Sequence, residues 1–139
     1  MDILQRIAIL LLVVITPLAF GQSLSPDETA AEGVAQTYFQ ALSQGDIQTL
    51  ESVIIDPLSA KRKALFENPD YPAYLIATYA TASFTNNKNS TIDQSTIAID
   101  LSITFSQDDF IDRQLLLRKA TLPNSPDTNY YIFAEQSVD

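Results

Sequence analysis

Apolar and polar residues follow three regimes along this chain. From Ile7 to Phe20 nearly every residue is apolar, interrupted late by Thr16 and Pro17. Between Ala31 and Ile54 apolar residues recur at helical spacing: Ala31, Val34, Ala35, Tyr38, Phe39 and Leu42, then Ile47, Leu50, Val53 and Ile54. Those stripes predict two amphipathic helices. From Ile97 to Phe105 the spacing becomes strict alternation, with Ile97, Ile99, Leu101, Ile103 and Phe105 set against Ala98, Asp100, Ser102 and Thr104. A period of two predicts a half-buried antiparallel strand.

Local signals set the boundaries. Ser25-Pro26-Asp27-Glu28 fits a capping box with proline in the first helical turn. Gly45 supplies a left-handed stop, and Asp46 caps the second helix. Asp56-Pro57 predicts a third helix, with Asp56 as N-cap and Pro57 at the first helical position, ending near Phe66 before Asn68-Pro69. Asp70 to Tyr79 suits a short helix opened around Pro72, followed by a strand from about Ala80 to Asn87. The polar run Asn86 to Asn89 reads as a loop. Gln107-Asp108-Asp109 turns the chain into a return strand from Phe110 to Ala120, a register that sets Ile111 opposite Phe105, Leu115 opposite Leu101 and Leu117 opposite Ile99, with Arg118 diagonal to Asp100. Pro123 to Asn129 is turn-rich, and Tyr130 to Val138 is a last strand with Tyr130 and Tyr131 on opposite faces. Helices first and strands afterwards give an α+β domain, with the helices on one face of an antiparallel sheet.

The N-terminal apolar run changes the compartment. Arg6 precedes it, and Ala19-Phe20-Gly21 places small residues where signal peptidase reads the chain. The run is shorter than the roughly 18–20 apolar residues of a membrane-spanning helix. We therefore expect residues 1–21 to be a cleaved signal peptide, cut after Gly21, and residues 22–139 to form one exported domain, periplasmic or secreted, with no membrane attachment after cleavage.

Charge and composition remove whole classes of activity. The chain has eight Lys and Arg against seventeen Asp and Glu, a formal charge of −9 that the loss of Arg6 and Asp2 leaves unchanged. Such a surface repels phosphate backbones, so no nucleic-acid partner is expected. His and Cys are both absent. That excludes the usual zinc ligands, a Cys or Ser–His nucleophile, an imidazole base and any disulfide. No glycine-rich phosphate loop is present, and neither a metal nor a cofactor is expected. Asp108, Asp109 and Asp112 cluster at the expected hairpin tip but lack the glycine-containing calcium-loop pattern. Lys61-Arg62-Lys63 reads as the solvated face of the third helix.

Val34 to Ile54, VAQTYFQALSQGDIQTLESVI, resembles the first two helices of the nuclear transport factor 2-like superfamily. The resemblance rests on the aromatic pair Tyr38-Phe39, then Ala41-Leu42, then Gly45-Asp46, then Leu50. It implies a cystatin-like α+β cone, helices folded over a strongly curved antiparallel sheet, in a small secreted branch. In the ketosteroid-isomerase branch a first-helix tyrosine points into the cone and donates to an oxyanion. Tyr38 aligns with it, and Asp100 is the strand acid that could accompany it, although Asp100 falls on the polar face of its strand. Tyr38, Tyr79 and Tyr130 are the pocket candidates, since tyrosine joins a large apolar body to a polar tip. Leu116 and Phe110 on the outer face suggest sheet-to-sheet homodimerisation.

The resulting expectation is an exported, non-catalytic binding or interaction module that uses the cone pocket or the sheet face. Its partner would be a small apolar or amphipathic ligand or a protein. Two alternatives come from other classes: a cofactor-free isomerase or dehydratase using Tyr38, and a structural component of an envelope assembly.

Overall fold

A computed structural model describes residues 25–123 and 127–138. The expected signal peptide and part of the Pro123–Asn129 turn lie outside the described residues. Four helices, α1 (Pro26–Gln44), α2 (Ile47–Val53), α3 (Leu58–Glu67) and α4 (Tyr71–Tyr79), precede four strands, β1 (Ser83–Thr91), β2 (Thr96–Ser106), β3 (Asp109–Thr121) and β4 (Thr128–Ser137). The strands form one antiparallel sheet in the order β1-β2-β3-β4, a meander with the helices on its concave face. The expected α+β cone is therefore the observed architecture.

α1 begins and ends as its sequence dictates. Ser25 Oγ accepts from the Glu28 N–H at 3.1 Å, and the Ser25 N–H donates to Glu28 Oε1 at 3.3 Å, completing the capping box. Gly45 closes the helix at φ 63°, where a side chain is strained. Space is short there too, because an added Cβ would stand 2.7 Å from the Pro72 carbonyl oxygen of α4. Asp46 then caps α2 by accepting from the Thr49 N–H at 3.2 Å.

The α1 stripe is buried on the sheet. Ala31, Ala35, Tyr38, Phe39, Ala41 and Leu42 join Leu50, Leu75, Ile97, Ile99, Leu101, Ile103, Leu115, Leu117, Tyr130 and Ile132 in a single core. Each buried Leu or Ile contributes about 1.5–3 kcal/mol of transfer free energy, and with no disulfide this core carries the fold.

Four boundaries differ from the sequence reading. Asn86 to Asn89 is not a loop but the middle of β1, and the chain turns instead at Ile92–Ser95. Polar side chains are tolerated because β1 is an edge strand. Asn86 and Asn89 donate to Glu32 of α1 at 3.1 and 3.4 Å, while Asn87 is the extra residue of a bulge. Pro57 precedes α3 rather than opening it, since Ile54 is bridged to Ile132 of β4 and the Ile55 N–H donates to the Ile132 carbonyl at 2.9 Å. Asp56 still accepts from the Ala60 N–H at 3.1 Å.

The β2–β3 register is shifted by two residues from the expected one. Ile97 pairs with Leu117, Ile99 with Leu115, Leu101 with Arg113 and Ile103 with Ile111. The turn is tighter than a three-residue loop, and a bulge at Phe105 absorbs the remainder. A two-residue slip keeps every side chain on its face, so the apolar face survives. The expected Arg118–Asp100 diagonal does not. Asp100 lies opposite Gln114, and the Arg118 guanidinium stacks 4.2 Å from the Phe133 ring centroid. Finally, β4 begins at Thr128 rather than Tyr130, and a third bulge separates the Leu116–Ala134 and Leu117–Ile132 pairs.

Candidate functional site

The bulge in β4 creates the site. Strand alternation from Tyr130 and Ile132, both in the concave core, would turn Glu135 outward. Phe133 is the extra residue, so Glu135 comes to lie opposite Leu115 and faces inward with it. There it meets Tyr38, which the α1 stripe aims at the sheet.

Tyr38 is 1% exposed, with its ring edge-on to Phe39 at 5.3 Å. Its hydroxyl donates to Glu135 Oε1 at 2.7 Å and accepts from Arg62 Nη1 at 3.0 Å. Arg62 Nη2 also reaches Glu135 Oε1, at 3.5 Å. From the other side Arg113 Nε stands 3.5 Å from Glu135 Oε2, and Arg113 Nη1 donates to Ser137 Oγ at 3.0 Å. Two guanidiniums thus share a carboxylate that already accepts a phenolic proton. The Arg113 Nε atom is buried and, among the described residues, lacks a hydrogen-bond partner.

These neighbours fix the protonation states. Burial pushes the Tyr38 hydroxyl far above the usual tyrosine range; the Glu135 carboxylate adds to that, and Arg62 only partly offsets it. Burial alone would weaken the Arg62 proton, but the Tyr38 oxygen and Glu135 outweigh it, so the guanidinium is held more firmly than usual. Tyr71 and Tyr79 are also raised, mainly by burial.

This cluster lines a cavity of about 510 Å³, together with Tyr71, Tyr74, Tyr79, Leu42, Leu65 and Leu75. Tyr71 and Tyr74 stack at 5.9 Å with 15° between their planes. Tyr74 and Leu65 are 60% and 42% exposed and form its rim, with Asp70 also at the solvent edge. A second cavity of about 450 Å³ lies between α1 and β1–β2, against Phe39, Phe84, Ile99 and Leu101. The ring contact between Tyr79 and Phe84, at 6.5 Å, forms part of the partition between the two. No cluster of metal-ligating side chains occurs among the described residues.

The structure brings two of the four sequence candidates together. Tyr38 and Tyr79 share the first cavity. Tyr130 lies elsewhere, in the core near the start of α1, with Lys119 Nζ 5.6 Å from its ring centroid and Lys119 paired to Asp27 at 3.3 Å. It lines neither of the two cavities. Asp100 is on the outer face, accepting from Gln114 Nε2 at 2.8 Å, and does not approach Tyr38. Of the acidic cluster, Asp112 accepts from the Ser102 hydroxyl at 2.7 Å.

Sequence reasoning missed Arg62, Arg113 and Glu135. Arg62 did leave a signal: it shares a helical face with Leu58, Leu65 and Phe66, whereas Lys61 and Lys63 on either side of it are exposed. Glu135 left none, because the bulge that turns it inward carries no sequence mark.

The chemistry follows from one distance. A proton donor and a base that act on a substrate must each come within hydrogen-bond reach of it. Here they touch at 2.7 Å, and the phenolic proton is committed to the carboxylate. The cluster forms a polar floor under an aromatic-walled cavity.

No family model matches the sequence, and no curated protein matches it significantly. Two solved structures share its fold. One is a ketosteroid isomerase-like protein from Erwinia carotovora atroseptica, with a TM-score of 0.51 and 10% identity over 81% of this chain and 95% of that one. The other is a SEC-C motif containing protein from Rhodopseudomonas palustris, with a TM-score of 0.52 and 14% identity over 81% of this chain and 82% of that one. At such identities the likeness establishes the nuclear transport factor 2-like fold and carries no activity with it.

Proposed function

We propose that this chain is an exported, non-catalytic binding module of a secreted nuclear transport factor 2-like branch, and that it holds a small amphipathic ligand in the cavity beneath Tyr38. The supporting observation is an open cavity, walled by Tyr71, Tyr74 and Tyr79, whose floor hydroxyl and carboxylate are already bonded to each other. Its volume lies within the range of about 300–1,000 Å³ typical of ligand pockets. Native mass spectrometry of protein recovered undenatured from the exported fraction tests this. The expected mass is that of residues 22–139 plus a small molecule. A bare mass counts against a retained ligand, and a mass that keeps residues 1–21 overturns cleavage.

One observation favours a second reading. Glu135 is a carboxylate beside Tyr38 in an open cavity, the pair of groups a cofactor-free isomerase requires. The two must part to admit a substrate between them. Conversion of a β,γ-unsaturated ketone to its conjugated isomer, lost in Glu135→Gln, would establish that activity. The envelope-assembly reading has less support, since the cone is not filled; it would use the outer face around Phe110, 59% exposed.

A further inference from the structure

We infer that the cavity beneath Tyr38 takes a planar monoanion, an aromatic or similarly flat carboxylate, with its charged end at Arg113 and Arg62 and its ring against the tyrosines. This deepens the binding reading above and rests on it.

The charge count of the floor points to an anion. Arg62 and Arg113 carry two positive charges and Glu135 one negative charge. Asp70 also lines the cavity, but it stands at the solvent-exposed rim, where water screens it. Among the described residues the floor is therefore left with one unbalanced cation, inside a protein of formal charge −9.

Geometry points to the same place. Glu135 spends Oε1 on the Tyr38 hydroxyl and on Arg62, and its contact with Arg113 is a loose 3.5 Å. The Arg113 Nε–H is buried and, among the described residues, makes no hydrogen bond, although Ser137 holds the same guanidinium in position at 3.0 Å. The guanidinium as a whole is one-third exposed, lines the cavity and is only loosely engaged by Glu135, so its outer N–H groups can take an oxygen from a ligand. A carboxylate suits it best, because the guanidinium fork matches its two oxygens.

The walls specify the rest of the ligand. Tyr71 and Tyr74 are stacked with 15° between their planes, Tyr79 stands beside them, and Leu65 and Tyr74 present apolar surface at the rim. Flat aromatic walls favour a flat body through offset stacking and area burial.

The test compares 2-naphthoate with its neutral counterpart 2-naphthamide by isothermal titration calorimetry. The protein is expressed with its leader and purified from the exported fraction. The acid should bind about tenfold more tightly than the amide, the scale of one charge-assisted hydrogen bond. Arg113→Gln should bring that ratio to within about threefold, with a thermal melt reporting whether the variant is folded. If it is not, Arg113→Lys, which keeps the charge but loses the planar fork, should narrow the same ratio. Equal binding of acid and amide by the native protein overturns the anion inference and leaves the pocket reading standing. A ratio unchanged by a folded Arg113 variant overturns it as well, since the acid then binds elsewhere. Failure of both probes to bind removes the inference together with the pocket reading.

Discussion

The Tyr38 hydroxyl and the Glu135 carboxylate, 97 residues apart in sequence, meet at 2.7 Å and tie the first helix to the last strand. Arg62 of α3 completes the tie, so three elements that share the apolar core are joined by polar atoms as well. In a partly dry site such a network is worth more than its separate pairs.

Tyr38→Phe removes the hydroxyl and leaves Arg62 and Glu135 to pair directly. The ring still fills its place in the core, so the variant should fold. It should lose about 1.5–3 kcal/mol, the scale of a hydrogen bond to a charged group. Urea unfolding followed by circular dichroism measures it, and an unchanged midpoint would show that the bond contributes nothing net.

Glu135→Gln should cost at least as much. It leaves two guanidiniums facing each other and gives Tyr38 a neutral amide oxygen in place of a charged acceptor. Breaking a well-buried ion pair costs about 3–5 kcal/mol, and the partial exposure of both arginines reduces this to about 2–3 kcal/mol. Added salt should recover part of the loss by screening the repulsion. A loss unaffected by salt would mean that packing, not charge, is responsible.

Stability should fall in mild alkali. Folding raises the Tyr38 hydroxyl above its unfolded value of 10.0. The folded chain therefore holds a proton that the unfolded chain releases above that pH. The stabilisation is complete below pH 10 and is lost as pH rises beyond it, by about 1.4 kcal/mol per unit for this group. Tyr71 and Tyr79 shift the same way. Tyrosinate absorbance should show Tyr38 ionising only as the fold is lost. Its titration in the folded protein near pH 10 would contradict the buried bond.

Gly45→Ala should destabilise by about 2–3 kcal/mol. The left-handed backbone costs a side chain roughly 1–2 kcal/mol. The new Cβ would also stand 2.7 Å from the Pro72 oxygen and 3.1 Å from Ile76 Cγ1. Thermal melts with matched Gly33→Ala, whose Cβ meets nothing within 4 Å, separate this cost from a general effect of helical glycine. Equal melting temperatures for the two variants would refute the close approach.

Much of the architecture was legible because its causes are local. Ser25, Gly45 and Asp46 announce the ends of α1 and the start of α2, and the alternation from Ile97 to Ile103 announces β2. Registers and bulges were not legible, because they depend on partners. β1 reads as a loop from its own composition and becomes a strand only beside β2. The site was half legible: Tyr38 and Tyr79 follow from helical faces, while Glu135 follows from a bulge that only the paired sheet reveals. Arg62 was hidden by its neighbours Lys61 and Lys63, which made one inward charge look like a wet run.

The polar edge strand has a consequence for life at high concentration. A free strand edge is a template on which another chain can be zipped. On one side of this sheet that template is spoiled by Lys88 and by the Asn87 bulge, which breaks the even spacing of amide groups. On the other side the bridge from Ile54 and the Ile55 amide occupy the edge at Ile132. Misassembly by runaway strand addition, the usual hazard of a small sheet without disulfide staples, is thus opposed at each margin, by a bulge and a charge on one and by a single bridged residue on the other.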